Sequence, residues 1–437
     1  MIMSFSFSNF LSYKDETIIS FEPRKSNRLI NHIISDGNNR MTKGVVCFGA
    51  NASGKTNIIK ALASLRLLIL SNYKDKSRCK TFKINNDNKT SSFKYKFSID
   101  GEIVFYELTI DFENNYILNE KMYNGKIYGV YFDRVYKNGK IDISTTKKMS
   151  KEDKKFFDVY SMDFYNNEDG NFDSSFFLRY VARKRSDNSD FYKAFKNIFD
   201  EIMSTIIIYP DTEYGDVFGL INDNADFESF KELLQEYRID VTDLVQENVT
   251  LESIIPDYKS KIKELDKLIL ELKEGQNFQV SINGVLLSIS KNSDKEINVQ
   301  KLTLRHGSED AFEYYEESNG TRRLFDLLPL LMLKNDKSRL VLIDEIDQSL
   351  HTLLTQKLIK DFFDSNLTSK IQFLITTHDV NLLNQEILRG DEILLISKNN
   401  LSHASSVQQF SDFKRRADRE VIGRYLNGEF GAIPKIS

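Results

Sequence analysis

The chain has no tryptophan, two cysteines and five prolines among 437 residues. Two cysteines, Cys47 and Cys79, cannot build a disulfide framework. That excludes the small stapled secreted folds and predicts reduced thiols in a cytoplasmic protein. No long Pro-, Gly- or Ser-rich run marks a linker, so interleaved domains are expected rather than domains strung on tethers. No apolar run approaches the roughly 18 residues of a membrane span. The opening MIMSFSFSNF alternates instead of pairing a basic segment with a long apolar one, so no signal peptide and no membrane partner are expected. An excess of one charge is also missing. The net charge is −4, and any nucleic-acid site must be a local patch. What remains is a globular composition, 41% hydrophobic and 28% charged. The length suits two or three domains, or one domain with a large insertion.

Against that background one stretch stands out. Gly49 to Thr56, GANASGKT, fits the phosphate-loop pattern G-x-x-x-x-G-K-[ST] without a mismatch. Val45 to Phe48 is a short apolar run of buried-strand type. Ile58, Ile59, Ala61, Leu62, Leu65, Leu68 and Ile69 recur at helical spacing behind it. Strand, loop and helix together aim backbone N–H groups and a positive dipole end at one point, where polyphosphate sits. Gly49 and Gly54 allow close backbone approach, Lys55 reaches the phosphates, and the Thr56 hydroxyl ligates Mg²⁺. Asn51, Ser53 and Asn57 complete the expected ATP-binding set.

Before the loop, Met3, Phe5 and Phe7 alternate as a strand, and Glu16–Phe21 reads as its partner. Residues 81–145 read as a β-meander with turns at Asp100-Gly101, Glu113–Asn115, Asn124-Gly125 and Asn138-Gly139, one strand covering Ile127–Phe132. Residues 150–210 read as helical with a basic tint from Lys154, Lys155, Arg179 and Arg183–Arg185. Phe156, Phe157, Phe176, Phe177 and Tyr180 fit a core better than base-stacking platforms. Ile206–Tyr209 is either a strand or a helix end. Residues 211–276 are expected to be a helical insertion, in which Tyr258, Ile262, Leu265, Ile269 and Leu272 form a two-heptad seam for a short coiled-coil hairpin. Residues 278–306 return to β, with a hairpin signal at Asn283-Gly284. The expected division is an N-terminal lobe 1–210, the insertion 211–276 and a C-terminal lobe 277–437.

The C-terminal lobe carries the acid groups. Arg339–Ile343 is an apolar strand that delivers Asp344 to the metal, directly or through water, and Glu345 to polarise an attacking water. Ile371–Thr377 is the neighbouring parallel strand, ending at His378, which is placed to bond the γ-phosphate or the water. Ser318 or Thr321 can cap the helix that follows. Ser318 with Gly320 also offers a second anion site at that helix's N-terminus.

This ensemble resembles the ABC-class ATPase head of the structural-maintenance-of-chromosomes and RecF-like proteins. The resemblance implies an α/β fold with a parallel nucleotide-binding sheet, an extra antiparallel β-layer and a helical insertion. It implies ATP and Mg²⁺ as cofactors, catalytic Glu345, His378 and Lys55, and a homodimer in which Ser318 and Gly320 of one copy meet the nucleotide of the other. The opening SFSFSNFLS, Ser318-Asn-Gly-Thr-Arg-Arg-Leu324 and the tail Tyr425–Pro434 are similar to the stand-alone phage-defence ATPases called RloA, abortive-infection L or the PARIS ATPase. That implies a sensor or switch acting on a separate effector chain, a TOPRIM-type nuclease or other toxin, with DNA or a phage protein as trigger. Only three residues follow Pro434, so the nuclease is expected on another chain. Two alternatives are a repair ATPase binding DNA through Arg179–Arg185 and Lys414-Arg415-Arg416, and a transporter motor. One departure from the family is that no glutamine occurs between Thr56 and Gln235. Either another polar residue substitutes in the loop after the first helix, or hydrolysis is slow and ATP acts as a clamp.

Overall fold

The computed structural model describes residues 1–71, 79–165, 176–184, 189–210, 224–256, 263–274, 277–282, 284–292, 296–307, 310–333, 337–364, 370–413 and 421–426. Two compact units emerge. The first comprises Met1–Pro210, Asn335–Asp347 and Thr355–Ser437, and the second Asp211–Lys334 with Gln348–Leu354.

The first unit is mixed α/β and contains two large sheets. One is six-stranded, in the order Ile206–Ile208, Arg339–Ile343, Ile371–Thr377, Gly44–Phe48, Ile393–Lys398, Ser405–Gln409. Its first five strands are parallel and Ser405–Gln409 runs antiparallel. Gly44–Phe48 and Ile371–Thr377 are buried at every residue, as near-continuous apolar runs of a parallel sheet should be. Ile206–Ile208, which the sequence left as strand or helix end, is the edge strand, paired to Val341–Ile343.

The second sheet is seven-stranded and antiparallel, in the order Lys140–Ser144, Val130–Lys137, Tyr116–Tyr123, Glu102–Asp111, Thr90–Ile99, Ile2–Ser8, Thr17–Ser20. Phe5 pairs with Ile19 and with Tyr95, so the opening strand sits between its early partner and the meander. Phe5, Phe7, Phe93 and Tyr95 face one core with Val45, Ile58, Ile59 and Leu62 of the phosphate-loop strand and helix. The Asn138-Gly139 turn has φ of +53° and +74°, the pair of positive values a two-residue hairpin needs. The strand expected over Ile127–Phe132 begins at Val130. Ile127 is 88% exposed, in a loop closed by the Asn124 N–H donating to the Gly129 carbonyl. Helices Lys151–Tyr165, Phe177–Lys184 and Asp190–Met203 follow. Their Phe157, Phe176 and Phe177 are buried, and Tyr180 is partly buried against the same cluster. The Arg179 guanidinium donates to the Ile69 carbonyl. Arg185 lies outside the described residues, as do Lys414-Arg415-Arg416 and Asn427–Pro434 of the tail.

The second unit is α+β rather than helical alone. Residues 211–276 do contain helices Asn224–Glu236, Leu251–Ile254 and Lys263–Glu271. They also contain the strand Asp243–Asn248, which pairs antiparallel with Ile297–Arg305. That pairing ties residues before 276 to residues after it, so 277–334 group with the insertion and not with the C-terminal lobe. The sheet continues through Val285–Lys291 to Asn277–Ile282. The hairpin expected at Asn283-Gly284 pairs Ile282 with Val285, Gly284 at φ +81°; Asn283 itself lies outside the described residues. Leu265 and Ile269 share one buried cluster with Leu287, Ile289 and Val299 of the sheet and with Leu251 of the short helix Leu251–Ile254. Tyr258 and Ile262 of the expected heptad seam lie outside the described residues.

Candidate nucleotide site

Register explains how residues far apart in sequence meet. Ile343 pairs with Ile375, and Ile375 with Val46; Thr377 and Phe48 end level with each other, two residues beyond the end of Arg339–Ile343. Asp344, Thr377 and Gly49 therefore emerge together at the carboxyl edge, where open α/β sheets bind ligands.

The phosphate loop connects Gly44–Phe48 to helix Lys55–Ser71. Lys55 is 6% exposed, and its amine donates to the Gly49 carbonyl at 2.7 Å and the Ala50 carbonyl at 3.0 Å. Burial pulls that amine below its ordinary pKa, against the opposing pull of the Glu345, Asp347 and Asp344 carboxylates. Gly54 has φ +114°, and a Cβ there would lie 2.5 Å from the Ser405 hydroxyl. A Cβ on Gly49 would lie 2.5 Å from the Ile396 carbonyl oxygen. The sequence motif did not disclose the props beneath the loop. The Ser405 hydroxyl donates to the Ser53 carbonyl at 2.6 Å and lies 2.8 Å from Ser12 Oγ. Asn57 Nδ2 donates to Ser12 Oγ at 2.8 Å, and the Tyr13 hydroxyl to the Gly54 carbonyl at 3.2 Å. The opening motif therefore ends under the phosphate loop, and its Ser12 was the one available signal. Asn51 is exposed. Beneath the loop, burial pushes the Cys47 thiol up to about 12, so it stays protonated and unreactive.

Across the strand gap, Thr56 Oγ1 lies 3.2 Å from Asp344 Oδ1, a contact spanning 288 positions. Thr376 Oγ1 donates to the same Asp344 oxygen at 2.6 Å and accepts the Glu345 N–H at 2.9 Å. Glu345 has φ +48°, a left-handed conformation that a non-glycine residue holds at a cost of about 1–3 kcal/mol. The Thr376 bond is part of what holds it there. His378 is half exposed, its Nε2 3.2 Å from Asp347 Oδ2. Lys55, Thr56, Asp344, Glu345, Thr376, Asp347 and His378 thus line one edge of one unit.

Ser318 and Gly320 belong to the second unit. Ser318 is exposed and caps helix Asn319–Leu327, its hydroxyl accepting the Thr321 N–H at 3.1 Å. A Cβ on Gly320 would lie 2.9 Å from the Ser349 carbonyl oxygen, so only glycine fits without a shift.

The residues present fit a nucleotide triphosphate with Mg²⁺. Ser53 Oγ is buried without a protein partner, as a phosphate-facing hydroxyl should be. Among the described residues no cluster of three His, Cys, Asp or Glu side chains could cage a metal. One hydroxyl and one carboxylate suit a hard cation that keeps waters and arrives with phosphate oxygens.

Solved structures similar to this chain include three SMC heads. The SmcHead bound to the C-winged helix domain of ScpA is 14% identical with TM-score 0.43, covering 93% of this chain and 96% of that one. The SMC head domain from Thermotoga maritima is 13% identical with TM-score 0.35, covering 93% and 98%. The Smc head domain with an extended coiled coil bound to the C-terminal domain of ScpA, from Pyrococcus furiosus, is 14% identical with TM-score 0.38, covering 98% and 99%. No curated protein matches in sequence. Among the described residues no helix is long and apolar enough to cross a membrane. A family model described as "AAA domain, putative AbiEii toxin, Type IV TA system" matches residues 46–384, well over half of the chain, and the chain belongs to that family.

Proposed function

We propose that the chain is an ABC-class ATPase that dimerises around ATP and works as a cytoplasmic switch on a separate toxic effector in anti-phage defence. The observation that carries the ATPase reading is the Thr56–Asp344 contact, which joins the two halves of the nucleotide site. Gly49, Asn51, Ser53, Gly54, Lys55, Thr56 and Asn57 hold ATP, and Thr56 with Asp344 holds Mg²⁺. When bound, Mg²⁺ neutralises phosphate charge. Lys55 gives up its two loop carbonyls to pair with phosphate oxygens. Glu345 orients and deprotonates water, and His378 assists at the same edge. Ser318, exposed, and Gly320, partly buried, stand at a helix N-terminus and suit an anion presented by a second copy. Hydroxyl and backbone donors there add attraction without a full charge.

The family's description as a putative AbiEii toxin of a type IV toxin–antitoxin system supports the defence setting. A TOPRIM-type nuclease as effector, and DNA or a phage protein as trigger, extend that reading. The experiment is Glu345→Gln in the full chain with ATP and Mg²⁺. Light scattering should show a dimer that accumulates with ATP, is absent with Lys55→Ala, and turns over no ATP. A Glu345→Gln chain that binds ATP yet stays monomeric would sink the composite site.

A further inference from the structure

His306 follows the strand Ile297–Arg305 and ties three segments of the second unit together. The Thr242 hydroxyl accepts the Gly307 N–H at 2.9 Å, and the Thr242 N–H donates to the Arg305 carbonyl at 2.8 Å. The imidazole makes a hydrogen bond at each nitrogen. Nδ1 meets the Asp240 carbonyl, and Nε2 lies 2.5 Å from Glu317 Oε1. The Glu317 side chain is 8% exposed. It directly precedes Ser318, whose hydroxyl caps helix Asn319–Leu327.

A carbonyl oxygen only accepts, so Nδ1 carries a proton. Nε2 and Glu317 Oε1 then need one more between them. Either an imidazolium donates to the carboxylate, or a protonated carboxyl donates to the Nε2 lone pair. Both arrangements hold one proton beyond neutral His306 and ionised Glu317. Without it two lone pairs face each other, and the bond is lost. Phe312, edge-on to the ring at 5.1 Å, supplies no other donor. The charges acting on the ring are the Glu317 and Asp240 carboxylates. Burial opposes the added proton and these groups outweigh it, so it leaves above the ordinary imidazole value near 6.5.

We infer that His306 and Glu317 share one proton and that this proton positions Ser318. While it is held, Glu317 fixes the entry to helix Asn319–Leu327. When it leaves to solvent, the Ser318 cap loosens. His306 is thus a positioning residue that acts through Glu317, and the surface offered to a second copy becomes sensitive to pH. That last step rests on the ATP-bound dimer proposed above; the coupling of His306 to Ser318 does not.

The test is hydrogen exchange of the full chain without nucleotide, read by mass spectrometry at about pH 6 and about pH 8.5 and corrected for intrinsic rates. The reporters are the Thr321 and Arg322 amides, which donate to the Ser318 hydroxyl and carbonyl. Loss of a charge-assisted bond should lower their protection about tenfold at the higher pH. In Glu317→Gln the new amide N–H can donate to Nε2 of a neutral ring while Nδ1–H stays on Asp240, so no shared proton is needed. Protection there should remain at the low-pH level of the wild type at both pH values. In His306→Gln it should remain at the wild type's high-pH level. Wild-type protection indifferent to pH overturns the inference. So does a Glu317→Gln chain that loosens like the wild type, or a His306→Gln chain as protected as the wild type at low pH. Light scattering of Glu345→Gln with ATP and Mg²⁺ reads the consequence: dimerisation about tenfold weaker at the higher pH, and indifferent to pH once Glu317→Gln is added. A dimer indifferent to pH without that second substitution overturns the link from Ser318 to the second copy. Exchange as expected in a chain that never dimerises with ATP upholds the positioning and overturns the composite site instead.

Discussion

Gly54→Ala isolates what the loop's props demand. Two terms can be worked from the structure. The first is backbone: φ of +114° is a region L-residues rarely adopt, at about 1–3 kcal/mol. The second is steric: the new Cβ would sit 2.5 Å from Ser405 Oγ, 2.8 Å from Ser12 Oγ and 3.0 Å from Ser405 Cβ. Overpacking of that kind adds about 1–3 kcal/mol. In the free protein the loop escapes both by shifting away from Ser405. Nucleotide needs the original loop, so binding must restore the strained form. The expected loss of ATP affinity is therefore roughly 2–6 kcal/mol, about 30-fold at the low end and on the order of 10⁴-fold at the high end. Adding Ser405→Ala removes the closest atom and should recover part of the steric term. It cannot recover the backbone term, and it forfeits the bond to the Ser53 carbonyl, worth about 1 kcal/mol. A double-mutant cycle read by a fluorescent ATP analogue should thus show coupling of about 1 kcal/mol or more. If Gly54→Ala binds within twofold of the wild type, or the two substitutions are additive, Ser405 does not brace the loop.

Thr376→Val keeps the shape of the side chain while deleting the hydroxyl shared by Asp344 and the Glu345 N–H. The loss of about 1–2 kcal/mol at the acid groups should raise the Mg²⁺ needed for an ATP-dependent thermal shift roughly tenfold; an unchanged Mg²⁺ titration would remove Thr376 from the site. In the second unit, burial opposes protonation of His306, but the Glu317 carboxylate and the Asp240 carbonyl outweigh it and raise its pKa. A raised folded pKa means the stabilisation is complete below the unfolded value near 6.5 and is lost as pH rises through the folded one. Melting of the wild type should fall between about pH 6 and about pH 8 by more than that of His306→Gln; equal slopes would show that the pair contributes nothing.

The parts of the site that could be read from sequence are those with local signatures. GANASGKT requires only its own backbone and the helix behind it, and the acid and histidine groups each terminate an apolar strand. What stayed hidden depends on neighbours far away in the chain. Ser405 looks like any serine of a polar stretch until the edge strand brings it under Gly54. Asp243–Asn248 lacks a bounding turn signal and sits among helices, so its pairing with Ile297–Arg305 was invisible, and the insertion was read as helical. At Ile127 the alternating pattern ran on through a loop, because periodicity alone does not report where a hairpin closes. Leu265 and Ile269 do show heptad spacing, but the same stripe fits a sheet face, and that is where it docks.

The strand Ile371–Thr377 contributes more hydrogen bonds to the candidate site than its terminal histidine alone suggests. Successive side chains of a strand point to opposite faces. Thr376 and Thr377 are adjacent and fully buried, yet their hydroxyls reach different acids, Asp344 and Asp347. One threonine steadies Asp344, and the next steadies Asp347, whose other oxygen lies 3.2 Å from His378 Nε2. A one-residue slip in register against Arg339–Ile343 would exchange the two faces and part both hydroxyls from their acids. The pairing of Ile343 with Ile375 in the sheet is therefore also what aligns the two threonines with Asp344 and Asp347. A two-threonine step before a strand-end histidine, beside an Asp-Glu-x-Asp strand end, is a sequence feature whose meaning appears only once that register is known.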